Sequence, residues 1–380
     1  MREYTIGLMS GTSLDGADGV LVDFSGDKPQ VVAAASKPFN AGFRAELLAL
    51  NSPGHNELHR AALAGNQLAI VYAQVVSTLL QQAGRQGIGA DRILAIGAHG
   101  QTVRHQPQRT STGAAGTGYT LQLNNPTLLA ELTGLDVVAD FRSRDIAAGG
   151  QGAPLVPAFH QDVFSRDDAT VAVLNLGGIS NLSVLPPAAF SSLPVLGFDC
   201  GPGNALMDAW CLQHTGQPFD AGGAWAASGQ LLPALLVSLL DEPYFSLPIP
   251  KSTGRDLFSL TWLADKLRPF AAEQPANIQN TLTELTVSVC VADIVGYAKE
   301  SKELIVCGGG AFNLHLLKRL QVGLPGLRVS TSEQHGLPPL QVEAAAFAWL
   351  ARRMLERRPG NLPSVTGAAG LRVLGGLYPA

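Results

Sequence analysis

The sequence predicts an α/β protein built from two related halves. Three observations predict it. Apolar strand-like runs alternate with segments of helical spacing along the chain. Glycine-rich turns follow the apolar runs that end near Met9, Leu176 and Cys307. The first two of those turns, roughly a domain length apart, both read strand, tight turn, strand.

The first strand is Tyr4–Met9, followed by the turn Ser10–Gly16 and a second strand Gly19–Phe24. The second hairpin runs from Val171–Leu176 through Gly177-Gly178-Ile179-Ser180-Asn181 into Leu182–Leu185. The third loop, Gly308-Gly309-Gly310, lies between the strand Glu303–Cys307 and a helix beginning after Asn313. Between the hairpins, Glu57 to Ala83 carries apolar residues at helical spacing and ends near Gly84. Arg92–Gly97 reads as a buried strand, Tyr119–Leu123 alternates as a half-buried strand does, Pro126–Thr133 opens as a helix, and Leu135–Asp140 is a further strand. Long helices are expected at about Leu282–Lys299 and Val342–Arg357. Residues 106–118 are small and polar and read as a surface loop. Ser143–Pro157 is rich in Gly, Ala and Pro, which suits a crossing between domains. The domain expectation is therefore 1–145, completed by about 345–380, and 146–344.

With 380 residues, 46% of them hydrophobic and 15% charged, the chain has material for two cores. The formal net charge is −4, with no basic block, so a nucleic-acid partner is not expected. No apolar run approaches the length a bilayer needs, so no membrane partner is expected either. Cys200, Cys211, Cys290 and Cys307 form no C-x-x-C pair and no disulfide framework, which favours the cytoplasm. His55 and His59 are spaced to share a helix face, but no carboxylate motif completes a metal site.

Glycine turns expose backbone N–H groups and let phosphate oxygens approach without a Cβ in the way. Gly11-Thr12-Ser13 and Gly177-Gly178 meet that need, though no Walker A motif occurs. Either turn alone would also serve as an ordinary hairpin. Together with Gly308-Gly309-Gly310 they match the plan of actin-like ATPases, in which two hairpins hold phosphates and a third loop packs on adenosine. Asp199 stands in Gly197-Phe198-Asp199-Cys200-Gly201-Pro202-Gly203-Asn204, a bend that would hold a carboxylate at the mouth of a cleft. A sugar kinase needs such a base; an Asp satisfying its own turn would look the same. Asp15 or Asp18 could hold Mg²⁺ through water, or cap the turn. His99, Gln101 and Arg104 end a strand and would suit the lining of a sugar site, or a solvent loop. Arg142 suits a carboxylate or an ion pair, and Glu343 a cleft or the start of its helix.

The segments GLMSGTSLDGAD (7–18), GAHGQTVRHQP (97–107), VVADFRSRDIAAGGQGAPLVPAFH (137–160), VAVLNLGGISNLSVL (171–185), GFDCGPGNALMD (197–208), CGGGAFN (307–313) and VEAAAFAWLA (342–351) resemble those of anhydro-N-acetylmuramic acid kinases, in order and over most of the chain. Cys200 departs from the common Thr, and the loop at 109–118 is lengthened. The resemblance implies a two-lobe actin-like (ribonuclease H-like) α/β fold with a nucleotide cleft between lobes, ATP with Mg²⁺, and 1,6-anhydro-N-acetylmuramic acid as the sugar. The implied reaction opens the 1,6-anhydro bridge with water and phosphorylates O6. By motif, Gly11, Thr12, Ser13, Leu14, Asp15, Gly16, Ala17 and Asp18 would meet the ATP phosphates, and Asp199 would be the base. Gly177, Gly178, Asn181, Gly308, Gly309, Gly310 and Asn313 are further ATP candidates; His99, Gln101, Arg142 and Glu343 are sugar candidates, and Asp15 is the candidate for the metal. A kinase for another anhydro-sugar and an actin-fold ATPase that is not a kinase are the alternatives, and a homodimer stays open.

Overall fold

The computed structural model describes residues 3–11, 13–26, 28–107, 118–189, 193–254 and 257–380. The strands are β1 (Tyr4–Met9), β2 (Gly16–Asp23), β3 (Gln30–Pro38), β4 (Ile93–Ala98), β5 (Gln101–Gln106), β6 (Tyr119–Leu123), β7 (Val137–Ala139), β8 (Thr170–Leu176), β9 (Ile179–Leu185), β10 (Leu196–Pro202), β11 (Ser301–Cys307), β12 (Arg328–Thr331) and β13 (Gly376–Tyr378). The helices that matter below are α1 (Glu57–Arg85), α2 (Pro126–Thr133), α3 (Ala205–Thr215), α4 (Pro275–Tyr297), α5 (Leu314–Gly323) and α6 (Val342–Leu355).

The chain forms two compact units: one holds the residues up to Phe159 together with Gln341–Ala380, the other is His160–Leu340. In the first, the sheet order is β13-β7-β4-β1-β2-β3, and in the second β10-β9-β8-β11-β12. The two orders share one plan. Three antiparallel strands in meander (β1-β2-β3 and β8-β9-β10) continue, beside the first strand, into two parallel ones (β4-β7 and β11-β12). That repeated order is the ribonuclease H-like arrangement of actin-like ATPases, so the duplication expected from two hairpins extends through whole sheets.

The first unit buries one face of its sheet against α1. Leu68, Tyr72, Val75, Val76 and Leu79 of that helix pack with Ile6, Leu8 and Leu21. By length and composition this helix could cross a membrane, although polar residues interrupt it throughout and the core helix of a globular unit has the same properties; half of its most apolar window is buried inside the unit. The other face receives α6. Its backbone lies so close to β1 and β4 that a Cβ at Gly7 would run into the Ala344 carbonyl, and one at Gly97 into that of Phe347. Glycine is required there for close approach, whatever its dihedral freedom. In the second unit α4 is the central helix: Leu282, Leu285, Val289, Cys290 and Ile294 join Leu174, Leu182, Phe198 and Leu304 in the core. It starts seven residues before the expected Leu282, because Pro275 at its first turn has a pre-set φ and no N–H to lose.

Candidate active site

In the first unit the chain leaves β1 at Met9 and turns through residues 10–15. Ser10 is buried; its hydroxyl donates to the Gly100 carbonyl at 3.0 Å and lies 3.0 Å from the Tyr72 hydroxyl. Gln101 reaches back, its Nε2 donating to the Gly11 carbonyl at 3.2 Å. Leu14 closes the turn with its N–H on the Gly11 carbonyl, at φ 59°, and plants its side chain in the core. A left-handed leucine is strained, and burial of the side chain offsets that strain. Gly16, Ala17 and Asp18 belong to β2, which starts three residues earlier than expected. Leu14 and Ala17 are buried, so they can offer a ligand only backbone groups. A Cβ on Gly11 would meet nothing nearer than Ser13 Oγ at 3.7 Å, so the outer side of the turn is open. Thr12 lies outside the described residues.

Two carboxylates flank this turn. Asp15 is exposed, with Arg44 Nη2 3.8 Å away. Asp18 has its pKa raised by its protein surroundings and then by Asp15. No cluster of three His, Cys, Asp or Glu side chains suited to a metal occurs among the described residues. Magnesium asks for less, since one or two carboxylates complete its shell with phosphate oxygens and water. Asp15 and Asp18 fit that requirement as hard oxygen donors with one loose cationic neighbour.

At the end of β4, His99 packs its ring 4.6 Å from that of Phe347. Its Nε2 accepts from Arg142 Nε at 3.1 Å and lies 2.9 Å from Nη2. Burial, then the Arg142 charge, pushes the His99 pKa down to about 3. The imidazole is therefore neutral, with its proton on Nδ1. Arg142 Nη1 donates to the Gly152 carbonyl at 2.8 Å, and burial lowers its pKa to about 10, opposed by Glu343 and Asp145. It stays cationic at neutral pH. Glu343, in the first turn of α6, has its pKa raised by burial against the pull of Arg142. The loop carrying Arg142 is pinned by buried Asp145, which accepts from Gly152 N at 2.8 Å, Asn361 Nδ2 at 2.7 Å and Thr366 Oγ1 at 2.8 Å. Arg104 faces elsewhere: it pairs with Glu57 and donates to the Leu50 carbonyl.

In the second unit, Asn175, Asn181 and Asp199 are register partners on β8, β9 and β10. They form a polar row leading away from the Gly177-Gly178 turn. Beyond Asp199 the register slips before Gly201, a bulge of the kind that re-aims side chains. The chain then passes back over the turn. Gly203 N donates to the Gly178 carbonyl at 3.0 Å, Asn204 N to Gly177 at 2.8 Å and Ala205 N to Gly178 at 3.2 Å. Asn204 does not cap α3 with its side chain, as a helix-starting Asn would be expected to; its Nδ2 donates instead to the Leu176 carbonyl at 2.8 Å. Gly308, at φ 76°, passes so close to Asn175 and Leu176 that a Cβ would strike both. The glycines of this unit at 177–178, 203 and 308–310 thus gather at the carboxyl ends of β8 and β11, where open α/β sheets bind ligands. Asn313 caps α5, its side chain accepting from Leu316 N at 3.0 Å.

Asp199 is gripped by a strap that the sequence did not single out. Its N–H donates to the Lys251 carbonyl at 3.1 Å, its Oδ2 accepts from Thr253 N at 3.0 Å, and its carbonyl accepts from the Tyr244 hydroxyl at 2.8 Å. Oδ1 has no hydrogen-bond partner among the described residues. Burial pushes the Asp199 pKa up to about 6, against the Thr253 N–H and the Lys251 charge. That is a carboxylate mostly ionised at neutral pH yet basic enough to take a proton.

A family model described as anhydro-N-acetylmuramic acid kinase matches residues 3–380. The chain belongs to the anhydro-N-acetylmuramic acid kinase family. It is 62% identical to the anhydro-N-acetylmuramic acid kinase of Albidiferax ferrireducens, over 100% of both chains. It is 64% identical to that of Variovorax paradoxus, over 100% of this chain and 99% of that one. Among solved structures, a ROK family glucokinase from Streptomyces griseus aligns at 14% identity and a TM-score of 0.41, over 92% of this chain and 99% of that one. Membership of the anhydro-N-acetylmuramic acid kinase family makes the chain a sugar kinase. The residues missed by sequence reasoning, Tyr244, Lys251, Thr253 and Asp145, act across gaps in the chain that no local pattern spans. The only local signal at the strap was the run Pro250-Lys251-Ser252-Thr253-Gly254, which reads as a turn.

Proposed function

We propose that the chain opens the 1,6-anhydro bridge of 1,6-anhydro-N-acetylmuramic acid with water and transfers the γ-phosphoryl group of ATP to O6. The products are N-acetylmuramic acid 6-phosphate and ADP, and the reaction belongs to cytoplasmic recycling of cell-wall peptidoglycan. The observation that carries the mechanism is the Asp199 carboxylate, with one oxygen held by Thr253 N and the other unpartnered among the described residues. Asp199 takes a proton from water as the water oxygen bonds to C1. The C1–O6 bond breaks, its electron pair stays on O6, and O6 attacks the γ-phosphorus as ADP leaves. One carboxylate thus serves both events, unlike the paired carboxyls of glycosidases.

The segment Gly11 to Asp18 is assigned to the ATP phosphates, with Gly11 and Ser13 at its open side. Gly177, Gly178, Asn181 and Gly308 to Gly310 are assigned to the nucleotide at the carboxyl ends of β8 and β11; Asn313 supports them as a helix cap. Asp15 and Asp18 would hold Mg²⁺, whose charge would screen the phosphates. Neutral His99, cationic Arg142 and Glu343 are assigned to the sugar, where Arg142 suits the lactyl carboxylate. Gln101 acts from behind, holding the Gly11 carbonyl.

The reaction in ¹⁸O-water tests this reading. Label is expected in the anomeric hydroxyl and not in the phosphate, at early times before mutarotation exchanges it. Asp199→Asn should cut turnover by about 10²–10⁴ while leaving both substrates bound. Label in the phosphate, or ADP formed without the sugar, would make the chain an ATPase. Competition by an anhydro-sugar lacking the lactyl and acetamido groups, at equal efficiency, would move the substrate assignment.

A further inference from the structure

Lys251 is 7% exposed, a rare state for a lysine. Its Nζ lies 5.3 Å from the Tyr244 ring centroid and 5.9 Å from that of Phe198. Nζ donates to Asp293 Oδ1 on α4 at 3.3 Å and to the Phe245 carbonyl at 3.4 Å. The other oxygen of Asp293 is buried with no conventional hydrogen-bond donor on it, and the weak Cys200 thiol is the further group that interacts with this carboxylate. A pair so incompletely satisfied is a poor stabilising device: apolar replacements of buried pairs are often neutral or better for stability. Its position suggests another use. The backbone carbonyl of the same lysine accepts the N–H of Asp199, and two residues on Thr253 N holds the carboxylate.

We propose that Lys251 is a positioning residue for Asp199: its ammonium, anchored on α4, holds the 251–253 strap against β10 and with it the backbone groups that grip the carboxylate. This deepens the reading of Asp199 as the base and rests on it. Among the described residues, Lys251 of the strap and Tyr244 of the short turn before it act on Asp199, and Asp293 and Cys290 of α4 and Cys200 of β10 act on those two or on one another. Burial pushes Tyr244 and Cys200 up, so both are neutral wherever the enzyme works. Asp293 is also raised by burial, with Lys251 opposing. Among the described residues, Lys251 is the one cation acting on Asp199, and its effect lowers the carboxyl pKa that burial has raised.

The signs follow. Without the ammonium, the Asp199 pKa rises above about 6. Activity is then lost at the acid end and regained as pH increases. A pin with no electrostatic role would lower activity equally at every pH. The experiment measures kcat/KM for ATP and anhydro-sugar across about pH 5–9, alongside ¹³C titration of the Asp199 carboxyl in the folded protein. Lys251→Met should move the acid limb and the titration up by about one unit, an approximately tenfold loss below the limb. Lys251→Met/Asp293→Asn, which leaves no charge unpaired, should keep that upward shift while restoring thermal stability. Asp293→Asn alone leaves the ammonium unopposed and should move both curves down. An unmoved limb in the double variant, or an upward move with Asp293→Asn, overturns the proposal. Asp199→Asn keeps the two readings apart. If it retains turnover, the base assignment itself fails; if it abolishes turnover while the Lys251 variants leave the limb in place, only the positioning role fails.

Discussion

The turn after β1 and the turn after β8 hold the same place in sheets of the same order, and they are braced in different ways. The second is braced by backbone: three N–H groups of Gly203, Asn204 and Ala205 reach the carbonyls of Gly177 and Gly178. The first is braced by side chains, Ser10 with Tyr72 and Gln101 with Gly11, and by a strained Leu14. Backbone bracing survives substitution of most side chains but demands glycine where chains cross. Side-chain bracing tolerates a Cβ on the turn and fails when a distant side chain is changed. One duplicated architecture therefore yields a rigid, glycine-dependent turn and an adjustable one.

The largest expected effect tests the glycine dependence of the chain crossing at the end of β8, just before the rigid turn. Gly308→Ala forces a Cβ onto Asn175 and Leu176 at positive φ. The left-handed backbone alone costs about 1–2 kcal/mol, and the overlap adds to it, so the melting temperature should drop by several degrees whether or not ATP is present. An unchanged melting temperature would mean that this crossing has room to relax. Gly11→Ala should do the opposite, because its outer side is open. Stability should hold, and KM for ATP should rise several-fold more than KM for the sugar as a phosphate is displaced from its N–H donors. A larger rise for the sugar would reverse the assignment of that turn. The smallest expected effect belongs to Gln101→Leu. It removes one hydrogen bond to the Gly11 carbonyl, about 0.5–1.5 kcal/mol. KM for ATP should rise by no more than about tenfold with kcat nearly kept; a fall in kcat with sugar affinity lost would place Gln101 in the sugar site instead.

Much of this was legible in the sequence because it is local. The bounds of β1, β6 and α2 follow from apolar runs, strict alternation, Pro126 at a helix start and Gly134 at its end. The Gly-Pro-Gly signal was legible too, but it marks the end of β10: Asp199 lies within that strand, and a register slip after it takes the place of the expected bend. What escaped is what depends on distant partners. β3 alternates weakly and is an edge strand of Ala, Val and Lys, so no period marks it. Arg104 looked like sugar lining beside His99, but strand pleating sends it toward Glu57 on α1. The Lys251 strap meets Asp199 across some fifty residues, and helix, strand and turn signals carry no information over that span.

The close seat of α6 against Gly7 and Gly97 has a consequence for synthesis. The helix that covers the first sheet is made only after all of His160–Leu340 has been translated, and the edge strand β13 after that helix. At ordinary elongation speeds the β1–β4 face waits ~10–40 s for its cover. The second unit is continuous in sequence and can close during that interval. The nascent chain therefore finishes its middle before its beginning, and the first sheet is the surface that a cellular chaperone would have to shield.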